Sequence, residues 1–338
     1  MTPTQRAGQL LMVAMDPGPA TSLDPYITEQ GLGAMLYLGG WQGAPTVQAA
    51  SAHLQEVSPT VDGTKVGMLV AADQEGGQVQ QLKGEGFSTL PSGVEQAKLA
   101  DLRSSARGWG AELKAAGVNV NLAPVADTVP ADVGRANDPI GQWDRQYGST
   151  PKAAGAGALA FAQGMRDAGV EPTVKHFPGI GRITGNTDLT DQGITDSVMT
   201  TKDAQLAPFA RTIDEGEAGI VMVGSARYSK IDGRTPALFS RKIVEGMLRT
   251  DLGFDGVVIT DDVGAAKAVS ATPVGERATK FVAAGGDIVL TADASQVETM
   301  VGALQDKAQD DPDFADQLRA SVTRVLTLKE DMGLLRCG

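Results

Sequence analysis

The sequence predicts an α/β protein, a (β/α)₈ barrel of the TIM type, from two observations. Short apolar runs recur between longer amphipathic stretches, and they are rich in Val, Ile, Leu and Met without alternation, as in parallel strands buried on both faces. Gly is abundant, at 42 of 338 residues, or about 12% against a usual ~7%, which suits many strand–helix turns. A doubly wound open sheet is the alternative, but no Gly-rich dinucleotide turn opens the first unit.

Eight apolar runs are predicted to be the barrel strands. No low-complexity linker or internal repeat interrupts their rhythm, so we expect a single domain spanning residues 1–338. The predicted strands are Leu10–Met15, Gly33–Leu38, Gly67–Ala72, Val118–Ala126, Pro172–Phe177, Gly219–Val223, Gly256–Thr260 and Asp287–Thr291.

Glycine directly after an amphipathic segment predicts where several helices end, because glycine readily takes the left-handed conformation that follows a last helical turn. The final stretch of the chain is predicted to be a closing helix. The segments are Leu102–Ala116 before Gly117, Ala153–Ala168 before Gly169, Ser240–Leu252 before Gly253, and the closing helix Pro312–Leu335.

Composition excludes several classes of protein. The 29 Lys and Arg against 41 Asp and Glu give a net charge of −12, which argues against nucleic acid as a partner. A single cysteine, Cys337, allows neither an intrachain disulfide nor a Cys-rich zinc site. The early apolar run Leu10–Met15 is far shorter than the ~20 residues of a spanning helix, so we expect no transmembrane segment.

The N-terminus lacks the pattern of a charged start, an apolar stretch and a small-residue cleavage site that a signal peptide shows. The richness in small residues nevertheless leads us to expect a secreted or cell-envelope protein, with the cytoplasm as the alternative. We also expect a monomer.

Polar side chains cluster where the predicted strands end. In a barrel the chemistry lies at the carboxyl ends of the strands, and charges beside apolar strands cost free energy unless they are paired. We therefore expect one shared site. The residues at these ends are the segment Asp73–Gly77, then Asn121, Asp127, Lys175, His176, Asp261 and Asp262.

The residues alone leave simpler interpretations open. Asp261 and Asp262 could bind a metal or cap the next helix, and Lys175 with Asp73 could form a structural ion pair. His176 could be a hydrogen-bonded core residue. No His-rich spacing accompanies these side chains, so we expect neither a metal nor a cofactor.

Three motifs carry a resemblance to a known family: ADQEGG at 72–77, KHFPG at 175–179 and GFDGVVITDD at 253–262. They resemble glycoside hydrolase family 3, and more narrowly its single-domain bacterial β-N-acetylglucosaminidases. Further segments also match, at residues 8–13, 119–127, 138–141 and 145–148. With them, the resemblance runs in order along essentially the whole chain.

The resemblance implies a retaining exo-glycosidase that removes a terminal β-linked sugar, with N-acetylglucosamine as the expected sugar. Asp261 matches the family's nucleophile. The residues that match those holding the sugar hydroxyls are Asp73, Arg145, Lys175 and His176. Alternatives are a β-glucosidase-like hydrolase, a transglycosylase, or a sugar-binding barrel with degenerate catalysis.

This sequence departs from the family pattern in the loop that follows the KHFPG motif. Asn186-Thr187-Asp188 stands where the family has an Asp-Ser-His triplet whose His is the acid/base. We therefore predict that Asp188 is the acid/base, with a pKa raised by the charge of Asp261; the alternative is that Asp188 caps a turn. Three further departures are Gln78 for a frequent Arg, Ile180 for a common His, and Ser225 where a His often occurs.

Overall fold

A computed structural model describes residues 1–335. Each of the eight predicted runs forms a strand of one parallel sheet, so the predicted (β/α)₈ barrel is confirmed. In chain order the strands are β1 (Leu11–Met15), β2 (Ala34–Tyr37), β3 (Leu69–Ala72), β4 (Val120–Asn121), β5 (Glu171–Phe177), β6 (Ile220–Val223), β7 (Val257–Thr260) and β8 (Val289–Thr291).

The sheet closes on itself between β7 and β8. Strands β1 to β7 pair in chain order, and β8 pairs with β1. The remaining seam holds a single parallel bridge, Ile259 to Ile288, and the N–H of Thr260 donates to the carbonyl of Ile288 at 2.9 Å. Closure places the carboxyl ends of all eight strands around one mouth.

Strand β4 is shorter than the predicted Val118–Ala126: its regular ladder covers only Val120 and Asn121. Pro124 has no N–H and cannot donate to a ladder. Its carbonyl still accepts from the N–H of Lys175 at 3.0 Å, and Val125 bridges Lys175. The segment therefore stays beside β5 and carries Asp127 to the mouth of the barrel.

Helices surround the barrel, and the predicted glycine stops are found at Gly117, Gly169 and Gly253, whose φ angles are 78°, 77° and 65°. Helix α8 is wound as a π-helix. The helices are α1 (Pro3–Gly8), α2 (Asp24–Thr28), α3 (Ala44–Val57), α4 (Gly93–Gln96), α5 (Leu102–Ala115), α6 (Pro151–Asp167), α7 (Ala207–Asp214), α8 (Lys242–Asp251), α9 (Val274–Ala283), α10 (Val297–Asp310) and α11 (Pro312–Asp331).

The closing helix α11 ends at Asp331, earlier than the predicted Leu335. Gly333, with a φ of 73°, lies just beyond it in the left-handed region and stops the helix. Cys337 lies outside the described residues.

Short elements decorate the barrel. Two-residue or three-residue strands pair as Trp41–Gln42 with Leu82–Lys83, Thr60–Val61 with Thr64–Lys65, Gln74–Gly76 with Val79–Gln80, and Thr195–Asp196 with Arg227–Tyr228. Single 3₁₀ turns lie at Ala20–Leu23, Gly134–Ala136, Gly141–Trp143, Ala204–Leu206, Ala237–Phe239, Lys267–Val269 and Ala294–Gln296.

One continuous apolar core joins the strands to the helices around them. The side chains of β2, β3, β6 and β7 are buried on both faces of the sheet, as expected for parallel strands covered by helices. Within residues 1–335, no helix combines the length and the apolar character needed to cross a bilayer.

Candidate active site

A cavity of about 390 Å³ opens at the carboxyl ends of the strands, and all six predicted site residues line it. They come from five separate regions of the chain, which meet because parallel barrel strands end around a single mouth. The six residues are Asp73, Arg145, Lys175, His176, Asp188 and Asp261.

Two cations and two carboxylates form a network on one wall of the cavity. The Nζ of Lys175 lies 2.5 Å from Oδ1 of Asp73 and 2.7 Å from Oε1 of Glu75. The guanidinium of Arg145 donates to both carboxyl oxygens of Glu75, at 2.7 and 2.8 Å. Arg145 also donates to the carbonyl of Pro139 at 2.7 Å. Charge-assisted bonds of this kind fix side chains that would otherwise rotate freely.

The opposite charges of the network keep its members ionised despite their burial. Burial alone would raise the pKa of Glu75, but Arg145 and Lys175 outweigh it and lower that pKa to about 2. Burial alone would lower the pKa of Lys175, but Asp73 and Glu75 outweigh it and hold that pKa above its ordinary value. Glu75, Arg145 and Lys175 are therefore charged at neutral pH. Charged groups of this kind form strong hydrogen bonds to sugar hydroxyls.

His176 is oriented from behind by Asp127. The Nδ1 atom of His176 lies 2.7 Å from Oδ2 of Asp127, a fully buried carboxyl that also accepts from the backbone N–H of His176 at 3.1 Å. The other oxygen of Asp127 accepts from the N–H of Ile180 at 2.7 Å. These bonds leave Nε2 of His176 as the ring nitrogen available to a ligand.

Lys175 and His176 are neighbours in the chain, yet both line the cavity. Successive side chains of a regular strand point to opposite faces. The register of β5 against β6 shifts between Val174 and Phe177, so the alternation is broken there. The peptide bond between Lys175 and His176 is cis.

Asp261 and Asp262 follow β7 and take different roles. Asp261 is half-buried, its N–H donates to the carbonyl of Val223 at 3.0 Å, and its side chain lines the cavity. The carboxyl of Asp262 instead accepts three backbone N–H groups, from Gly264, Ala265 and Ala292, at 2.7 to 2.9 Å. Asp262 thereby ties the turn after β7 to the end of β8 and holds Asp261 in place.

Asp188 lies on the loop between β5 and β6. The N–H of Asp188 donates to Oδ1 of Asn186 at 3.0 Å, so Asn186, and not Asp188, caps this turn. Two backbone bonds pin the loop to the segment after β7: the N–H groups of Lys267 and Ala268 donate to the carbonyls of Asp188 and Thr187, at 3.1 and 3.0 Å. Within residues 1–335, no hydrogen bond occupies the Asp188 carboxyl.

The pKa of Asp188 is raised from its ordinary value to about 7. The surrounding cavity wall, which partly removes the carboxyl from water, is the largest cause, and the negative charges of Asp261 and Asp262 come next. His176 and Arg145 act in the opposite direction. The residue itself remains open to solvent at the cavity mouth, so water and a leaving group can both reach the carboxyl.

No group of three or more His, Cys, Asp and Glu side chains is placed to hold a metal ion in the part of the chain that the structure describes. Asp73 faces Lys175, and Asp262 accepts three backbone N–H groups. Asp261 accepts a single one, from Asp262 at 3.0 Å, and keeps its second carboxyl oxygen. The arrangement therefore offers hydrogen-bonding charges around two carboxyl groups that remain free to react.

Comparison with known proteins shows which family this barrel is a member of. The model of the glycosyl hydrolase family 3 N terminal domain matches residues 3–328. The chain belongs to glycosyl hydrolase family 3. Its resemblance to that family, first seen in three motifs, is thereby confirmed, and the protein is a glycoside hydrolase acting on O-glycosyl bonds.

Relatives of this family 3 hydrolase carry consistent names. A beta-hexosaminidase of Xanthomonas oryzae is 31% identical over 282 residues, covering 81% of this chain and 80% of the relative. Beta-hexosaminidase LpqI of Mycobacterium tuberculosis is 30% identical over 341 residues, covering 97% and 83%. The crystal structure of a beta-N-acetylhexosaminidase from Beutenbergia cavernae superposes with a TM-score of 0.91 at 44% identity, covering 98% and 99%.

The sequence predictions placed Glu75 and Asp127 among the polar residues at the strand ends but assigned neither of them a role in the site. Glu75 holds Arg145 and Lys175, and Asp127 orients His176. A signal was available for both: each carboxyl lies within or beside an apolar segment, and a buried carboxyl requires a partner. The sequence could not say which partner, since each pair is separated by about 50 to 100 residues.

Proposed function

We propose that this family 3 hydrolase is a retaining exo-β-N-acetylhexosaminidase in which Asp261 is the nucleophile and Asp188 the acid/base. The observation that carries the proposal is the pair itself: two carboxyls in one cavity, one of them with a pKa near 7. A retaining glycosidase needs one carboxylate and one protonated carboxyl. Here the two carboxyls have different surroundings, which can keep one protonated while the other is ionised.

In the first step the Asp261 carboxylate attacks the anomeric carbon, and the bond from that carbon to the leaving oxygen breaks. Asp188 transfers its proton to the leaving oxygen as the bond breaks, so that an alcohol departs. The products are an ester between the sugar and Asp261 and an ionised Asp188. A pKa near 7 keeps a large fraction of Asp188 protonated at neutral pH, as an acid catalyst requires.

In the second step Asp188 removes a proton from water, and the water oxygen attacks the same carbon from the face that the leaving group vacated. The ester bond breaks, the sugar leaves with its original configuration, and Asp261 is a carboxylate again. Formation of the ester removes the charge of Asp261. The pKa of Asp188 then falls, which favours its action as a base.

Asp73, Arg145, Lys175 and His176 are proposed to hold the hydroxyls of the terminal sugar. Ion pairs within one network hold the first three residues, and Asp127 holds His176 in one orientation. A rigid set of donors and acceptors positions the anomeric carbon over Asp261 without further ordering cost.

N-acetylhexosamine as the sugar is supported by the names of the relatives. The decisive assay compares nitrophenyl β-glycosides of N-acetylglucosamine, glucose and other sugars on the purified protein. We expect kcat/KM to be highest for N-acetylglucosamine. A preference for glucose, or binding without turnover, would overturn the sugar assignment or the catalytic assignment respectively.

A fluorinated sugar that traps the glycosyl-enzyme tests the nucleophile independently. Mass spectrometry of the digested adduct should place the label on Asp261. Label on Asp262 or Asp73 would contradict the mechanism while leaving the sugar specificity intact.

We further propose that residues 1–338 act as a single catalytic domain, as a monomer, in an extracytoplasmic compartment or at the cell envelope. The continuous core supports the first point. Sedimentation analysis tests the second. Immunoblotting of culture medium, envelope and cytoplasmic fractions tests the third, and protein confined to the cytoplasm would contradict it.

A further inference from the structure

Asn137 is fully buried in the segment that joins β4 to α6. It does not line the active-site cavity, and no step of the proposed mechanism uses it. Its side-chain amide nevertheless makes four hydrogen bonds, which is the full capacity of two N–H donors and two acceptor lone pairs. A buried amide with every bond made is costly to replace, so its partners show what it holds.

The amide oxygen of Asn137 fixes the turn that precedes Arg145. Oδ1 accepts from the N–H groups of Ile140 and Gly141, at 3.1 and 2.7 Å. Two carbonyls of the same turn accept from Arg145: that of Pro139 from the guanidinium at 2.7 Å, and that of Ile140 from the backbone N–H at 3.3 Å. Asn137 therefore holds the turn against which Arg145 is positioned.

The amide nitrogen of Asn137 fixes the start of the loop that carries Asp188. Nδ2 donates to the carbonyls of Ile180 and Ile183, at 2.8 and 2.7 Å. Both isoleucine side chains are buried, and Ile180 lines the cavity. Asp188 follows on the same loop, so Asn137 sets the path by which this loop leaves β5.

The peptide groups of Ile180 join Asn137 to His176. The carbonyl of Ile180 accepts from Asn137, while its N–H donates to Oδ1 of Asp127 at 2.7 Å. The other carboxyl oxygen of Asp127 lies 2.7 Å from Nδ1 of His176. A continuous run of hydrogen bonds therefore joins the turn before Arg145 to the start of the β5–β6 loop and to His176.

The partners of the Asn137 amide permit a single orientation. A reversed amide would place its N–H groups against those of Ile140 and Gly141, and its oxygen against two carbonyls. Leucine has the same branched outline and forms none of these bonds. An ionised aspartate accepts hydrogen bonds but cannot donate them. The two substitutions therefore separate the two sides of the amide.

We propose that Asn137 is a positioning residue for glycoside hydrolysis. It holds the turn before Arg145, on which the terminal sugar depends, and the loop of Asp188, on which the leaving group depends, in one fixed arrangement. The proposal rests on the proposed function, since it takes Arg145 as a sugar-binding residue and Asp188 as the acid/base. A misplacement of about 1 Å can cost ~10²-fold in rate, so catalysis is sensitive to the path of this loop.

The test uses the phenyl and dinitrophenyl β-glycosides of the sugar preferred in the assay above. They share the sugar and the aromatic ring, but departure of the phenyl group depends much more on an acid. For Asn137→Leu we expect the ratio of kcat/KM, phenyl over dinitrophenyl, to fall ~10–100-fold, because Asp188 is no longer held at the leaving oxygen. The dissociation constant of the free sugar should also rise, since the turn before Arg145 loses its support.

Asn137→Asp tests the two sides separately. The ionised carboxylate still accepts from Ile140 and Gly141, but it offers no donor to Ile180 and Ile183. We expect the substrate ratio to fall as in Asn137→Leu, while the dissociation constant of the free sugar stays close to that of the unmodified enzyme. A ratio that stays the same in both variants would overturn the proposal. If Asn137→Leu does not fold, the ratio in Asn137→Asp decides alone.

Asn119→Leu is the matched control. Asn119 is also buried, donates to the carbonyl of Met68 at 3.1 Å and accepts from the N–H of Val70 at 2.8 Å, but it does not line the cavity. Its removal should lower the free energy of unfolding and leave the substrate ratio and the sugar affinity unchanged. An equal fall of the ratio in Asn119→Leu would show that general loosening, rather than positioning, is the cause.

Asp188→Ala separates this inference from the proposed function. If its substrate ratio falls and that of the Asn137 variants does not, the inference fails and the proposed function stands. If its ratio does not fall, the acid/base assignment fails, and amide hydrogen exchange decides on Asn137. The N–H groups of Thr184 and Gly185, whose hydrogen bonds close the loop, should then exchange faster in both Asn137 variants and not in the control. Unchanged exchange at these two positions would overturn the coupling.

Discussion

The carboxyls of Asp188 and Asp261 share one cavity, and the charge of Asp261 helps to raise the pKa of Asp188 to about 7. Burial makes the larger contribution to this shift. In the proposed mechanism, the charge of the nucleophile therefore helps to retain the proton that the leaving group needs. That coupling makes the two residues testable together.

For Asp188→Ala we expect a strong dependence on the leaving group. Hydrolysis of substrates with poor leaving groups should be slower by ~10²–10⁴, the range of lost general acid catalysis. For activated aryl glycosides, the first step should be slowed far less. Azide should partly restore turnover by attacking the glycosyl-enzyme without base assistance. Equal losses on both substrate types, with no azide effect, would remove Asp188 from the mechanism.

Asp191→Ala is the matched control for that experiment. Asp191 is an exposed carboxyl on the same loop and does not line the cavity. Its removal should leave both substrate types unaffected.

The pH dependence of kcat/KM should show a basic limb near pH 7 in the unmodified enzyme, because the free enzyme must carry the Asp188 proton. Asp261→Asn removes a negative charge and should lower the pKa of Asp188. Carboxyl titration by NMR of labelled protein measures it. A pKa that stays the same in Asp261→Asn would contradict the coupling. The same variant should lose at least ~10³ in rate, since it lacks the proposed nucleophile.

Glu75→Gln should lower the free energy of unfolding by an amount that depends on pH. The folded pKa of Glu75 is about 2 against an ordinary 4.5, so its ionised form stabilises the fold fully above pH 4.5, and this contribution disappears as the pH falls through 2. The difference corresponds to roughly 3 kcal/mol. Denaturant unfolding of both proteins at several pH values measures it.

The comparison variant is Glu276→Gln, in which an exposed surface pair with Lys280 is lost. It should change the free energy of unfolding by ~0–1 kcal/mol. If the penalty of Glu75→Gln persisted unchanged down to pH 2, its network charge would not be the cause.

Asp127→Asn should weaken substrate binding and the fold together. An amide has one acceptor oxygen, whereas the Asp127 carboxyl serves His176 and Ile180 from both of its oxygens. At least one buried donor would lose its partner, at a cost of about 1–3 kcal/mol. We expect a raised KM and a lower unfolding midpoint. Asp132→Asn, at an exposed position nearby, should change neither, and identical behaviour of the two variants would refute the positioning role.

Lys329 should make stability rise with pH. Its Nζ is fully buried on α11 and donates to Oε1 of Gln9 at 2.6 Å and to the carbonyl of Gly33 at 2.9 Å. Burial lowers the pKa of Lys329 from 10.5 to about 7. Between pH 7 and 10.5 the unfolded chain therefore binds more protons, so the free energy of unfolding increases with pH.

Lys329→Met keeps the side-chain volume and removes the titration. Its free energy of unfolding, measured by chemical denaturation at pH 7 and 9.5, should rise less than that of the unmodified protein. Parallel pH trends in the two proteins would show that Lys329 does not titrate in this range.

The predicted strands and the observed ones differ mostly at their ends. Val118–Ala126 was predicted as one strand, but its ladder covers only Val120–Asn121 because Pro124 cannot donate. Helix stops at Gly117, Gly169 and Gly253 were predictable because the preference of glycine for positive φ is local. The end of α11 was not predicted, although Gly333 marks it.

The sequence by itself determined the barrel, the family and the six candidate residues of the cavity, since apolar runs, glycine stops and contiguous motifs are properties of neighbouring residues. Only the tertiary structure decided the partners and the charge states. Glu75 holds Arg145 across 70 positions and Lys175 pairs with Asp73 across 102. The pKa of Asp188 depends on burial and on nearby charges, which exist only once the strands have closed into a barrel.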